Sequence, residues 1–205
     1  DADRCLAIAA LGNEIDGDHI LTILARGFKA RGVLKSDTVV GTVMSNLGFM
    51  HAMKDAAINV VTTPVGDRYV LENMIANDYS LGGEQSGHVI MRQLANTGDG
   101  LLTALQLMQE VVRTGKTLQE LAATMVRFPQ VLINVKNVAK DKLPGNIVIE
   151  AAVKSAEDRL GDSGRVLLRA SGTEPLVRVM VEAASDSLAQ EVAQHLANTV
   201  KNELE

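Results

Sequence analysis

Two arginines, two hydroxyls and a glycine share the stretch Arg169-Ala-Ser-Gly-Thr-Glu-Pro-Leu-Val-Arg178. Guanidinium forks, hydroxyl donors and a glycine that admits the backbone closely are the groups a dianionic phosphate needs. Arg169, Ser171, Gly172, Thr173 and Arg178 are therefore candidate phosphate-binding residues. A polar hairpin with surface arginines is the plainer reading, but a plain hairpin needs neither this length nor this composition. A second constellation is Gly82-Gly-Glu-Gln-Ser-Gly-His88, where Glu84, Ser86 and His88 alternate. A carboxylate can accept from two vicinal hydroxyls, and a serine both donates and accepts, which suits a sugar ring. The same spacing fits a bulged turn with an exposed glutamate. A third is Asp1-Ala-Asp-Arg4, in which Asp1 and Asp3 offer hard oxygens of the kind Mg²⁺ takes. Acids at a terminus are otherwise usually just solvated. Asp67-Arg68-Tyr69 and Thr97-Gly-Asp-Gly100 each also read as a helix start, with Asp67 a cap candidate in the first and Thr97 or Asp99 in the second. His19, His51 and His195 have no partner at ligand spacing and read as structural or exposed.

Composition limits what these residues can serve. The chain has 205 residues, 46% of them hydrophobic but only 2% aromatic, so its core must be aliphatic. That length allows one large or two small domains. A net charge of −5 with interspersed signs argues against a nucleic-acid surface. An acidic protein that binds an anion must concentrate its arginines locally, as Arg169 and Arg178 would. The single cysteine, Cys5, excludes a disulfide within the chain and reads as a small buried hydrophobe in a reducing compartment. No apolar stretch reaches the roughly 18 residues of a membrane span, and no signal peptide opens the chain. A soluble, cytoplasmic protein is expected. The chain opens on an aspartate inside a motif, which reads as a fragment of a longer protein.

The elements that must hold these residues follow from periodicity. Leu6–Leu11 reads as a buried strand ended by Gly12-Asn13. Asp16-Gly17-Asp18 offers the N-cap of a helix over 19–31, with Ile20, Leu21, Leu24 and Phe28 at helical spacing. Strands are predicted at 38–43, 59–63, 79–82 and 89–91, and helices at 47–57, 67–77, 97–114 and 117–125. Leu101, Leu105, Met108 and Val112 form the apolar stripe of the 97–114 helix, with Gly115 as its C-cap. Alternation of strand and helix predicts a mostly parallel sheet with helices on both faces, and binding loops at the carboxyl ends of its strands. Beyond Phe128-Pro129 the pattern changes. A half-exposed strand at 131–135, a helix at 146–160 with Val148, Ala152, Ala156 and Leu160 as its stripe, strands at 165–169 and 176–182 and a closing amphipathic helix predict a small α+β domain with an antiparallel sheet. The 140–145 stretch reads as a polar connection. The expected division is 1–13 (the end of a preceding α/β domain), 14–127 (α/β, sugar-binding) and 128–205 (α+β, phosphate-binding), with the 126–130 junction a hinge candidate.

Taken together, the three motifs resemble those of the α-D-phosphohexomutase superfamily. The Arg169–Arg178 stretch resembles its phosphate-binding loop and Gly82–His88 its sugar-binding loop. Asp1–Arg4 resembles the last two-thirds of its Asp-Gly-Asp-x-Asp-Arg metal loop. Val65-Gly-Asp-Arg-Tyr-Val70 and Thr97–Gly100 are most similar to the bacterial phosphoglucosamine mutase branch. The resemblance implies that Asp1 and Asp3 bind Mg²⁺ and that Arg4 lies beside the metal and the reactive phosphate. It implies that Glu84, Ser86 and His88, with Asp67 and Arg68 at the cleft mouth, meet the sugar. It also implies an isomerase that exchanges glucosamine 6-phosphate and glucosamine 1-phosphate through a phosphoserine and a sugar bisphosphate, the latter serving as primer, on the route to UDP-N-acetylglucosamine and the cell wall. The family's Ser-His-Asn-Pro type loop and the first aspartate of the metal loop have no match here, so this chain alone is expected to be inactive. A phosphomannomutase or phosphoglucomutase, or a non-catalytic sugar-phosphate-binding module, remains open. The partner implied is a small sugar phosphate, with no nucleic acid and no membrane; a homodimer stays open.

Overall fold

The computed structural model describes residues 2–205. Asp1, one of the two expected metal ligands, lies outside the described residues. The chain divides into two compact units, Asp1–Arg127 and Phe128–Glu205.

In the first unit, a short antiparallel pair, β1 (Ala7–Ile8) with β2 (Glu14–Ile15), precedes helix α1 (Gly17–Ala30). There follow β3 (Thr38–Thr42), α2 (Leu47–Asp55), β4 (Asn59–Thr63), α3 (Asp67–Ala76), β5 (Leu81–Gly83), β6 (Val89–Met91), α4 (Gly100–Thr114) and α5 (Leu118–Ala122). The sheet runs β4-β3-β5-β6, with β3 parallel to β4 and β5, and β6 antiparallel at the edge. Successive residues of β3 face opposite sides, as a pleated strand requires. Val39 joins a large core with Ile20, Leu24, Phe49 and Met53, while Val40 joins a smaller one with Val70 and Met74 of α3. Helices therefore cover both faces, as the alternation predicts.

Three expectations here are corrected. The Leu6–Leu11 run is not a buried strand: only its Ala9 is buried, and Leu6, Ile8 and Leu11 are exposed, because the run pairs only with the two residues of β2. The Leu101, Leu105, Met108 and Val112 stripe of α4 faces solvent; the opposite face, with Thr103, Leu107 and Glu110, is the buried one. Asp67 is the first residue of α3 rather than its cap, since the N-cap is Gly66 and no side chain caps that end. Cys5 is half-buried against the large core, and burial raises its thiol pKa.

The second unit contains β7 (Gln130–Lys136), α6 (Ile147–Leu160), β8 (Arg165–Ala170), β9 (Leu176–Glu182) and α7 (Asp186–Leu204). Its antiparallel sheet is ordered β7-β9-β8. Val177, Val179 and Val181 alternate along central β9 and pack with Val192, Leu196 and Val200 of α7. On α6 the buried residues are Ile149, Ala156 and Leu160, whereas Val148 is exposed. The Asn146 side chain caps this helix, accepting from the Val148 and Ile149 amides at 3.1 Å each.

Candidate functional site

In the first unit, the loops leaving β3, β4 and β5 gather with the N-terminal segment and the start of α1. The β5–β6 turn is tied from two sides. The Cys5 amide donates to the Gly87 carbonyl and the Gly17 amide to the Gln85 carbonyl, each at 3.0 Å. Backbone lies directly on backbone at these contacts. A Cβ on Gly17 would strike the Glu84 carbonyl, and one on Gly87, which also has φ +93°, would strike that of Cys5. The Gly100 amide donates to the Ala2 carbonyl at 2.8 Å, and a Cβ on Gly100 would meet the Arg4 carbonyl. Gly98 lies against the His88 ring. The Thr97-Gly-Asp-Gly motif thus has a physical account: Asp99 caps α4 by accepting from the Leu102 amide at 2.9 Å, and its two glycines let that helix start meet His88 and the N-terminal segment.

These contacts enclose an open cavity of about 500 Å³. Arg4, Glu84 and Ser86, three of the residues singled out by sequence, line it together. Glu84 is tethered by its Oε1, which accepts from the Gly66 amide at 2.9 Å. Other lining residues carried no functional expectation: Glu14, Asp16, Thr42 and Arg127. Asp16 is only 4% exposed. Its Oδ1 accepts from the His19 amide at 3.1 Å and lies 2.7 Å from His19 Nδ1. Its Oδ2 lies 3.6 Å from an Arg127 guanidinium nitrogen, with no hydrogen bond. Burial pushes the Asp16 pKa up, but the hydrogen bonds from His19 and the charges of His19 and Arg127 outweigh it, and the net shift is downward. Fully buried Asp18 accepts from the Asn46 amide at 2.7 Å and so fixes the loop after β3 to α1. In sequence, Asp16 was legible as a cap; nothing marked Arg127 as its partner.

The remaining expected residues of this unit lie apart from that lining. Buried His88 has its Nε2 3.9 Å from Asp3 Oδ2 and 4.0 Å from Asp67 Oδ2, so these three gather at one place. Its Nδ1 has no hydrogen-bond partner. Arg68 is exposed on α3, with its Nε 2.7 Å from Glu72 Oε1, a same-helix pair. Among the described residues, no group of three or more carboxylate, imidazole or thiol side chains is placed to hold a metal. Asp3 alone does not make a Mg²⁺ site.

In the second unit, β8 and β9 pair in a register that sets Arg169 directly across from Arg178. Ser171 is buried. Its amide donates to the Leu176 carbonyl at 2.9 Å, and its Oγ accepts from the Glu174 amide at 3.3 Å. Glu174 lies 3.9 Å from an Arg178 guanidinium nitrogen. Gly172 and Thr173 are exposed at the tip, and a Cβ on Gly172 would meet nothing. The 140–145 stretch is more than a connection: Lys140 Nζ donates to the Ser171 carbonyl at 2.6 Å and to that of Gly172 at 3.3 Å. With Lys140 on its carbonyls, the loop presents two guanidiniums, a hydroxyl and tip amides, an arrangement suited to a phosphate.

Residues 16–128 match the family described as phosphoglucomutase/phosphomannomutase, alpha/beta/alpha domain III, and residues 132–199 match its C-terminal domain. Among curated proteins, the phosphoglucosamine mutase of Frankia alni is 60% identical over 201 residues, covering 98% of this chain and 44% of that protein. That of Bifidobacterium longum is 60% identical over 204 residues, covering 100% and 44%. That of Leifsonia xyli is 57% identical, covering 100% and 45%. The chain thus spans less than half the length of these relatives. Among solved structures, Aspergillus fumigatus N-acetylphosphoglucosamine mutase in complex with GlcNAc-6P and magnesium superposes with a TM-score of 0.81 at 24% identity, over 100% of this chain and 48% of that one. A complex of the same enzyme with glucose 1,6-bisphosphate gives 0.78 at 25% identity, over 98% and 47%. The order of elements, the two sheets and these matches lead to one conclusion: the chain belongs to the phosphoglucomutase/phosphomannomutase family, as its third and C-terminal domains.

Proposed function

We propose that this chain is the sugar- and phosphate-binding part of a phosphoglucosamine mutase, an isomerase of glucosamine 6-phosphate and glucosamine 1-phosphate. The observation that carries the reading is the cavity at the carboxyl ends of β3, β4 and β5, where Arg4, Glu84 and Ser86 meet. Identity of 57–60% to proteins of that name supports it. The reaction is two phosphoryl transfers, from a phosphoserine to the sugar and back from the other end of a bisphosphate. In this reading residues 1–13 close a preceding α/β domain, 14–127 hold the sugar and 128–205 the phosphate.

Glu84 and Ser86 accept from and donate to ring hydroxyls, with Asp67 and Arg68 at the cleft mouth and His88 beside Asp67. Arg4 compensates charge on the reacting phosphate. Arg169, Ser171, Gly172, Thr173 and Arg178 grip the phosphate that is not reacting, and anchoring the far end holds the near end in line. Asp1 and Asp3 are part of a Mg²⁺ site whose remaining ligand lies upstream. The nucleophilic serine is also supplied from upstream, and the protein works in the cytoplasm.

The test uses the full-length protein. Its kcat/KM is expected to be highest for glucosamine phosphate over the mannose and glucose phosphates. A preference for either of the latter would make it a phosphomannomutase or phosphoglucomutase instead. Arg169→Ala removes a charge-assisted contact of about 1.5–3 kcal/mol, so the thermal shift produced by sugar phosphate should shrink markedly at a ligand concentration that saturates the unsubstituted protein. An intact shift rules the loop assignment out.

A further inference from the structure

Helix α4 presents a packing seam to solvent. Leu101, Leu105, Met108 and Val112 are 72%, 52%, 54% and 82% exposed. Their spacing of four, three and four residues keeps them on one stripe, the spacing at which one helix packs along another. Single exposed apolar side chains are ordinary; a continuous row is the mark of a covered surface. The charged residues of this helix do not break the row. Glu110 is buried on the opposite face, paired with Arg31 and Arg113.

Two observations identify the occupant. The amino end of α4 is where the chain arrives: the Gly100 amide donates to the Ala2 carbonyl at 2.8 Å, and Gly100 abuts the Arg4 carbonyl. The curated relatives are more than twice as long as their matched part, and that part comprises the third and C-terminal domains. Their additional chain therefore precedes the segment corresponding to Ala2–Arg4. We propose that the polypeptide preceding Asp1 in the full-length protein covers the α4 seam with an apolar face of its own. A second copy of the chain fits less well. One helix stripe meeting its copy buries well under the roughly 1,200 Å² of a stable interface, whereas the upstream segment is tethered beside the seam at high effective concentration. The inference rests on the reading of this chain as part of a longer mutase.

The experiment uses the full-length protein in two ways. Without substitution, dilute peroxide followed by mass spectrometry compares Met108 with half-buried Met50. Met108 is the more exposed of the two here, yet it is expected to oxidise the more slowly. Separately, Leu105→Cys and Val112→Cys are labelled with a maleimide, with Asn202→Cys, an exposed position on α7, as reference. Both are expected to label at least tenfold more slowly than the reference, at any protein concentration. Labelling at the reference rate, or oxidation of Met108 ahead of Met50, overturns the proposal. Protection lost on dilution overturns it in favour of a second copy. Mutase activity measured on the same samples keeps the two readings apart: an active protein with an open seam refutes only this inference, and a protected seam without activity refutes only the assigned reaction.

Discussion

Asp16 lines the first unit's cavity and ties together three parts of it. Its carboxylate caps α1, orients His19 and faces Arg127. Alanine at this position removes the cap and should cost about 1–2 kcal/mol in urea unfolding, whereas asparagine caps comparably and should cost less. The pH dependence has a definite sign. The folded-state pKa of Asp16 is lowered, chiefly by His19 acting against burial, so its charged form stabilises the fold above the ordinary carboxylate range. That contribution is lost as pH falls through the lowered value. The stability gap between Asp16→Asn and the unsubstituted protein should therefore hold near neutral pH and close in acid below about pH 4. A gap that widens on acidification would contradict this account.

Among the elements, the β8–β9 loop shows how a flexible tip is held. Ser171 ties its base through the Leu176 carbonyl and the Glu174 amide, and Lys140 secures two of its carbonyls from a separate segment. Lys140→Ala leaves the three-stranded sheet intact but frees the loop. Sugar-phosphate affinity, measured by calorimetry, should fall about three- to tenfold, less than for Arg169→Ala, because the lost bond positions the loop and does not touch the ligand. Unchanged affinity together with unchanged hydrogen exchange at 171–174 would remove Lys140 from this role.

At the scale of the molecule, each unit has its own aliphatic core, one around Ile20, Leu24, Phe49 and Met53 and the other around Val179, Leu196 and Val200. Phe49→Ala should cost about 3–5 kcal/mol and Leu196→Ala about 2–5 kcal/mol, each in the unfolding transition of its own unit. Calorimetry checks this: if both substitutions shift one shared transition equally, the units unfold as one.

The sequence by itself determined the local structure: caps at Asp16 and Asp99, the C-cap glycine Gly115 after α4, and a strand at 176–182. These depend on interactions within a few residues, which spacing reports directly. It also singled out Glu84, Ser86, Arg169 and Arg178 by residue type; the first two line the first unit's cavity, and the last two stand directly across from each other on β8 and β9. Tertiary structure alone decided which face of α4 turns inward, because both faces carry leucines and the buried one holds Glu110 against Arg31, which lies far from it in sequence. It alone set Arg127 beside Asp16 and Lys140 beneath Ser171, and gave the glycines of Thr97–Gly100 their purpose. Long-range pairs and backbone-on-backbone contacts leave no periodic trace in a chain, so they appear only once it has folded.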